Sequence, residues 1–272
     1  MTRSNVRGRR AYWVRGAARF GHVATGIVYV LVGMLAMAAS IDRRVRPPGP
    51  TDAFYELRAT GVGALATLIV AGGLIVDALW QALRAWHDFD RVGGGVRGLL
   101  ERGGVAVSGV LHLGLAVAAA RLVIGYDSAD TLESQTKTWV AIPLSVPRGE
   151  WVVALLASVT FGVALITIYR GAAPCVLERL SLAHLRGVLR SVAWLCARLG
   201  LLARGSIYAM IAAFIGTAAY HHRASDVRAI GGVLRLLQYT QDGRWLLAAI
   251  ALGFVANGIV ELIRAWHRAI RI

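Results

Sequence analysis

Three charged side chains stand well inside long apolar runs of this sequence, Asp77, Arg204 and Glu261, while a fourth, Arg121, lies near the end of its run, where it can snorkel to the surface. An ionised group in hydrocarbon costs at least a few kcal/mol, so each of the first three is a candidate site by default. Measured from the ends of their runs, the two acids and the guanidinium fall at matching depth. Thr25, Asn257, His22, Tyr29, His112 and Tyr208 fall in the same half of their runs. That spacing predicts one polar layer, an Asp77–Arg204–Glu261 ion network with Asn257 and Thr25 beside it. The two histidines and two tyrosines are its further polar contributors. Such a layer either binds a small solute or ion, or pins helices together.

Other chemistry is poorly provided for. The chain has no Gly-x-Ser-x-Gly turn, no His-Glu-x-x-His zinc pattern and no Gly-x4-Gly-Lys phosphate loop. Gly93-Gly94-Gly95 follows no strand and is expected to be a simple turn. His22 and His112 differ in depth by roughly 9 Å at 1.5 Å per residue, which suits a haem poorly. His221-His222 with Asp226 is at most an adventitious metal trap, and Cys175 and Cys196 lack the spacing of a disulfide framework. His87, Asp88 and Asp90 make a weak cluster of the kind a lipid-directed enzyme would need. We therefore expect no metal, no cofactor and no enzymatic activity.

The elements that must carry the polar layer follow from composition. The chain has 272 residues, 57% hydrophobic and only 17% charged, where a soluble domain carries about a quarter charged. Six apolar runs, near 20–41, 62–83, 104–124, 151–169, 199–220 and 245–263, are long enough to cross a hydrocarbon core of about 30 Å. The formal charge is +15, but the cations fall between these runs and not on one solvated face. The charge is a topology signal, and nucleic acid is excluded as a partner. Arg and Lys number 18 in the flanks on the side of the termini and 10 in the other three loops, which places both termini in the cytoplasm. All cations but Lys137 are arginine, the usage of a GC-rich bacterial genome, so the expected location is a bacterial inner membrane. The first run follows a basic tail, 1–14, and lacks a cleavage pattern, so it is expected to be a retained span.

Arg84, Arg170 and Arg264 close the even-numbered runs, with Trp86 and Trp266 at headgroup depth as interfacial anchors. The tetrapeptide Arg-Ala-Trp-His at 84–87 and 264–267 thus marks a helix leaving the membrane. Prolines 47, 48, 50, 143, 147 and 174 are expected in loops. Between 174 and 195, Leu177, Leu180, Leu185, Val188, Val192 and Leu195 share one helical arc, opposite Arg179, Arg186 and Arg190. That predicts a cytoplasmic interfacial helix on anionic headgroups. The expected partners are therefore the bilayer and either a protein partner or a second copy.

The runs are also repeated. "ARFGHVATGIVY" at 18–29, "ERGGVAVSGVLH" at 101–112 and "ARLGLLARGSIY" at 197–208 share Arg-x-Gly-x4-Gly-x2-[Tyr/His]. "LRATGVGALATL" at 57–68 aligns with "LQYTQDGRWLLA" at 237–248, and "PRGEWVVALL" with "QDGRWLLAAI". Three two-span copies result, 15–90, 98–173 and 196–272. Successive copies enter the membrane in one orientation, as parallel repeats. Asp77 then corresponds to Asn257 and Val163, and Glu261 to Gln81 and Thr167. The expected fold is an all-α membrane protein, six transmembrane helices forming three helix hairpins in a pseudo-threefold bundle. Gly21, Gly104 and Gly200, with Gly26, Gly109 and Gly205, are expected to let helix backbones approach closely, since lipid supplies no hydrophobic drive for pairing.

The Arg-x-Gly-x4-Gly-x2-Tyr opening, the Gly-x-Trp-Leu-Leu-Ala start of the second helix and the three tandem pairs are similar to a bacterial membrane family, Domain of Unknown Function 1206. The resemblance runs from about Arg15 to Arg268. It implies a six-span inner-membrane protein and no particular activity. Function is therefore expected to be that of an accessory or scaffolding module. The alternative is a transporter of a small solute, ion or lipid working through the Asp77/Arg204/Glu261 layer.

Overall fold

The computed structural model describes residues 3–47, 49, 53–55, 63–87, 95–125, 132–180 and 182–267. Its helices are α1 (Arg3–Ile41), α2 (Gly63–His87), α3 (Val96–Val123), α4 (Leu132–Leu144), α5 (Gly149–Ala172), α6 (Val176–Arg179), α7 (Gly187–His221), α8 (Ile230–Tyr239) and α9 (Gly243–His267). Six of them, α1, α2, α3, α5, α7 and α9, are long and apolar enough to cross a membrane. No proline interrupts any of the six, so each backbone ladder is continuous. Large apolar side chains such as Leu65, Leu79, Leu155 and Val159 point outward, a surface that suits lipid and would be a liability in water. The chain has the build of a multi-pass membrane protein.

The spanning helices pack in a definite order. α1 lies against α2, α2 against α3, α5 against α7, α7 against α9, and α9 back against α1. Equivalent positions make the contacts between copies. Gly109 packs on Ala78 and Gln81 of α2, Gly205 on Ala164 and Ile168 of α5, and Gly26 on Gly258 and Leu262 of α9. Within copies one and three, Gly21 meets the backbone of Asp77 and Gly200 that of Asn257.

Copy two departs from this scheme. Among the described residues α3 and α5 share at most marginal contact, so the ring expected from the sequence is left open at one place. The sequence differs at the matching places. Gly73 faces Ala24, and Gly253 faces Ala203, across the two closed crossings. The corresponding residues of copy two are valines at 159 and 107, larger than the glycine and alanine of the closed crossings. Among the described residues Gly104 meets nothing within 4 Å, so the close approach expected of it is not seen there.

Several other expectations are corrected. The basic tail is part of α1, which starts at Arg3 and has 39 residues, about 58 Å of helix at 1.5 Å per residue. The single interfacial helix over 174–195 does not form. Val176–Arg179 is a short helix, Gly187 takes φ +59, and everything beyond it is the start of α7. The positive φ breaks the arc: Leu177 and Leu185 are buried with Leu182, Val260 and Ile263, whereas Val188, Val192 and Leu195 point outward. Pro143 lies in the last turn of α4 and not in a loop. Helices α4 and α8 occupy what read as loops, and Arg235 of α8 pairs with Glu133 of α4 at 3.1 Å.

Candidate functional site

The polar residues of the bundle make three hydrogen-bonded groups that act on one another through space. On α9, Glu261 is buried, with Oε2 2.8 Å from Nδ1 of His22 on α1. Its other oxygen accepts a hydrogen bond of 2.6 Å from Nη1 of Arg264. Arg264 therefore turns inward onto an acid one helical turn away, and is not the headgroup anchor that its position suggested. Trp86 and Trp266 do project outward from the helix ends. The side chain of His87, Asp88, Asp90, Gly93 and Gly94 lie outside the described residues.

Asp77 on α2 forms the second group. Gln81, one turn on, donates from Nε2 to Oδ2 of Asp77 at 2.5 Å. His112 of α3 places Nδ1 2.8 Å from the same oxygen and 2.6 Å from the Gln81 amide nitrogen. The two acid groups are related by the repeat with acid and amide exchanged. Copy one carries Asp77 and Gln81 where copy three carries Asn257 and Glu261. Each acid reaches across a boundary between copies, α2 to α3 in one case and α9 to α1 in the other.

Arg204 belongs to neither acid. Its Nη2 donates to the Tyr208 hydroxyl at 3.0 Å, and its guanidinium carbon lies 5.4 Å from the ring centre of Tyr29. Helices α7 and α1 are not packed neighbours, so this side chain crosses the interior of the bundle. Direct Asp77–Arg204 and Arg204–Glu261 ion pairs are thus not made, although Arg204 stays near enough to Glu261 to act on it through space. The physical reason is competition: Arg264 and the two histidines stand nearer to the carboxylates and satisfy them first. Arg204 keeps a buried Nε without a partner, and so do Thr25 Oγ1 and Asn257 Nδ2. Tyr29 contacts Phe254 of α9, ring centres 5.9 Å apart, which brings α1, α7 and α9 together around these atoms.

Sequence reasoning passed over two polar anchors. Arg102 of α3 donates to the carbonyls of Ala85 at 2.7 Å and Trp86 at 3.1 Å, capping the end of α2 where a helix leaves carbonyls unpaired. Gln238 of α8 is fully buried and gives Nε2 to the carbonyls of Ala39 at 3.0 Å and Val45 at 2.7 Å, closing the end of α1. Glutamine inside a loop carries no sequence signal for such a role. His221 bonds Asp226 at 2.9 Å on an exposed turn, and among the described residues no three metal-ligating side chains converge.

Comparison with known proteins adds the family. The chain is 25% identical over 256 residues to the uncharacterized protein YxxB of Bacillus subtilis (strain 168), covering 94% of this chain and 92% of that one. No solved structure matches it. A family model described as Domain of Unknown Function (DUF1206) matches three tandem segments, 20–88, 103–173 and 199–268. Each segment takes in the two spanning helices of one copy, α1 and α2, α3 and α5, or α7 and α9. By these three matches, spread over most of its length, the chain belongs to the DUF1206 family.

Proposed function

We propose that this protein is a non-enzymatic accessory or scaffolding module of the bacterial inner membrane, with both termini cytoplasmic and its three copies arranged about a pseudo-threefold axis. The observation that carries the reading is how the two buried acids are used. Glu261 and Asp77 are each held by a histidine from the neighbouring copy and by a second side chain of their own helix. Groups matched in this way join helices, and neither acid is left free to act as a base or nucleophile. The repeated Gly26, Gly109 and Gly205 contacts support the threefold arrangement, which is interrupted between α3 and α5.

A deletion strain complemented with Asp77→Asn and Glu261→Gln variants tests the role. A scaffold predicts that any lost phenotype follows lost protein level or lowered melting temperature in detergent. Full loss of phenotype at normal level and normal melting would sink the scaffold in favour of the second reading, transport of a small solute, ion or lipid. That alternative draws on Arg204, whose Nε is buried without a partner in the interior.

Orientation is tested separately, in a Cys175→Ser/Cys196→Ser background. A cysteine at exposed Thr240 should react with a membrane-impermeant maleimide on intact spheroplasts, and one at exposed Gly95 should not. The opposite pattern would invert the topology.

A further inference from the structure

We propose that Arg204, Thr25 and Asn257 form a binding site for one small oxyanion, a carboxylate or phosphate group, between α1, α7 and α9. This goes beyond the scaffolding role, since a module that only joins helices needs no ligand there.

Three buried polar atoms without partners lie in this part of the bundle, one on each of α7, α1 and α9: Arg204 Nε, Thr25 Oγ1 and Asn257 Nδ2. Thr25 and Asn257 are 6% and 5% exposed. A buried polar group without a hydrogen bond costs about 1–3 kcal/mol, so three together are a standing penalty unless something occupies them. Their positions are set by the repeat. Thr25 and Arg204 are equivalent residues of copies one and three, four residues after Gly21 and Gly200. The backbone of Asn257 abuts Gly200, one turn from Arg204 on α7. The guanidinium lies over the Tyr29 ring, and Tyr29 is one turn from Thr25 on α1.

The chemistry of the atoms selects the ligand. Arginine Nε and the asparagine amide nitrogen only donate hydrogen bonds, and the threonine hydroxyl can donate as well. A ligand satisfying all three must offer acceptors. Charge narrows it further. Arg204 is always protonated and lies in no ion pair, because Glu261 is bound to Arg264 and His22 and Asp77 to His112 and Gln81. A guanidinium in a low-dielectric interior, with its nearest acid, Glu261, already bonded to Arg264 and His22 and acting on it only through space, favours a further anion. Arginine's planar fork suits carboxylate and phosphate oxygens in particular. Both a free oxyanion and an anionic phospholipid headgroup present that group.

The test uses the full chain in a zwitterionic detergent, with melting temperature read against sodium phosphate and sodium acetate, each compared with sodium chloride at equal ionic strength. A parallel arm compares nanodiscs of phosphatidylcholine alone with nanodiscs containing phosphatidylglycerol. A saturable rise with phosphate or acetate identifies a free oxyanion. A rise confined to phosphatidylglycerol identifies a headgroup. In either case Arg204→Gln should abolish the rise, and Thr25→Val and Asn257→Leu should each shift the midpoint at least tenfold upward. Should Arg204→Gln fail to fold, the other two variants decide. No anion-specific rise in the wild type, or a rise unchanged in all folded variants, would overturn the site.

Discussion

Replacing both His22 and Arg264 by leucine should cost about 3–5 kcal/mol, the penalty for stripping a buried charge of its partners. Further replacing Glu261 by leucine should recover most of it. Glu261 is 6% exposed, and its two oxygens are 2.8 Å from His22 and 2.6 Å from Arg264. With these side chains gone each oxygen loses its hydrogen-bond donor in a buried place, so the carboxylate must stay charged and poorly solvated or take up a proton. The triple variant removes that dilemma, leaving an apolar contact between α1 and α9 of the kind that often equals or exceeds a buried ion pair. The comparison also separates charge from packing. If leucine at 22 and 264 harmed stability only by misfit, adding a third leucine would make it worse. Unfolding in mixed micelles by dodecyl sulfate titration gives the three free energies. A triple variant as unstable as the double would show that Glu261 is not held as an interhelical lock.

That lock also shows what could be read from the sequence and what could not. The spans, the threefold repeat and the membrane setting are written in hydropathy and in tandem motifs, and each expected span falls on one long helix, although α1 and α7 begin more than ten residues before theirs. The importance of Glu261, Asp77 and Arg204 was equally plain, because ionisable residues are rare in such runs. Their partners were not. Depth counted along separate helices says which residues share a layer, but not which face each presents. His22 and His112, treated as secondary contributors, are the groups that hold the acids, and Arg264, assigned to the headgroups, lies one turn from Glu261. A helical turn places residue 264 over residue 261, so this contact was within reach of the sequence. The link from α3 across to Asp77 was not, since it depends on the order of helices in the ring. The broken 174–195 segment failed for a related reason: a helical arc is meaningful only if the backbone stays helical, and here one helix ends at Arg179 and the next begins at Gly187.

The glycines give the second large effect, and they test the open ring directly. Adding one methyl at Gly21 or Gly200 places it within 3 Å of the Cα of Asp77 or Asn257. Backbone cannot move aside as a flexible side chain can, so the helices must separate along the crossing. We expect Gly21→Ala and Gly200→Ala each to cost about 1–3 kcal/mol, the usual range for overpacking, and to weaken the neighbouring polar group, because Asp77 and Asn257 sit at the contact itself. Gly26→Ala should fall in the same range, since its methyl would meet Gly258 O and Leu262 at 3.0 Å. Gly104 occupies the same place in copy two, and its methyl would meet nothing within 4 Å. Gly104→Ala should therefore be neutral or slightly stabilising, helped by alanine's better helix propensity. Four single variants, unfolded by the same titration, read out the geometry of all three copies. A closed ring would make Gly104→Ala as damaging as its two counterparts. With the ring open between α3 and α5, the same substitution at three equivalent positions harms the protein at two of them and spares it at the third.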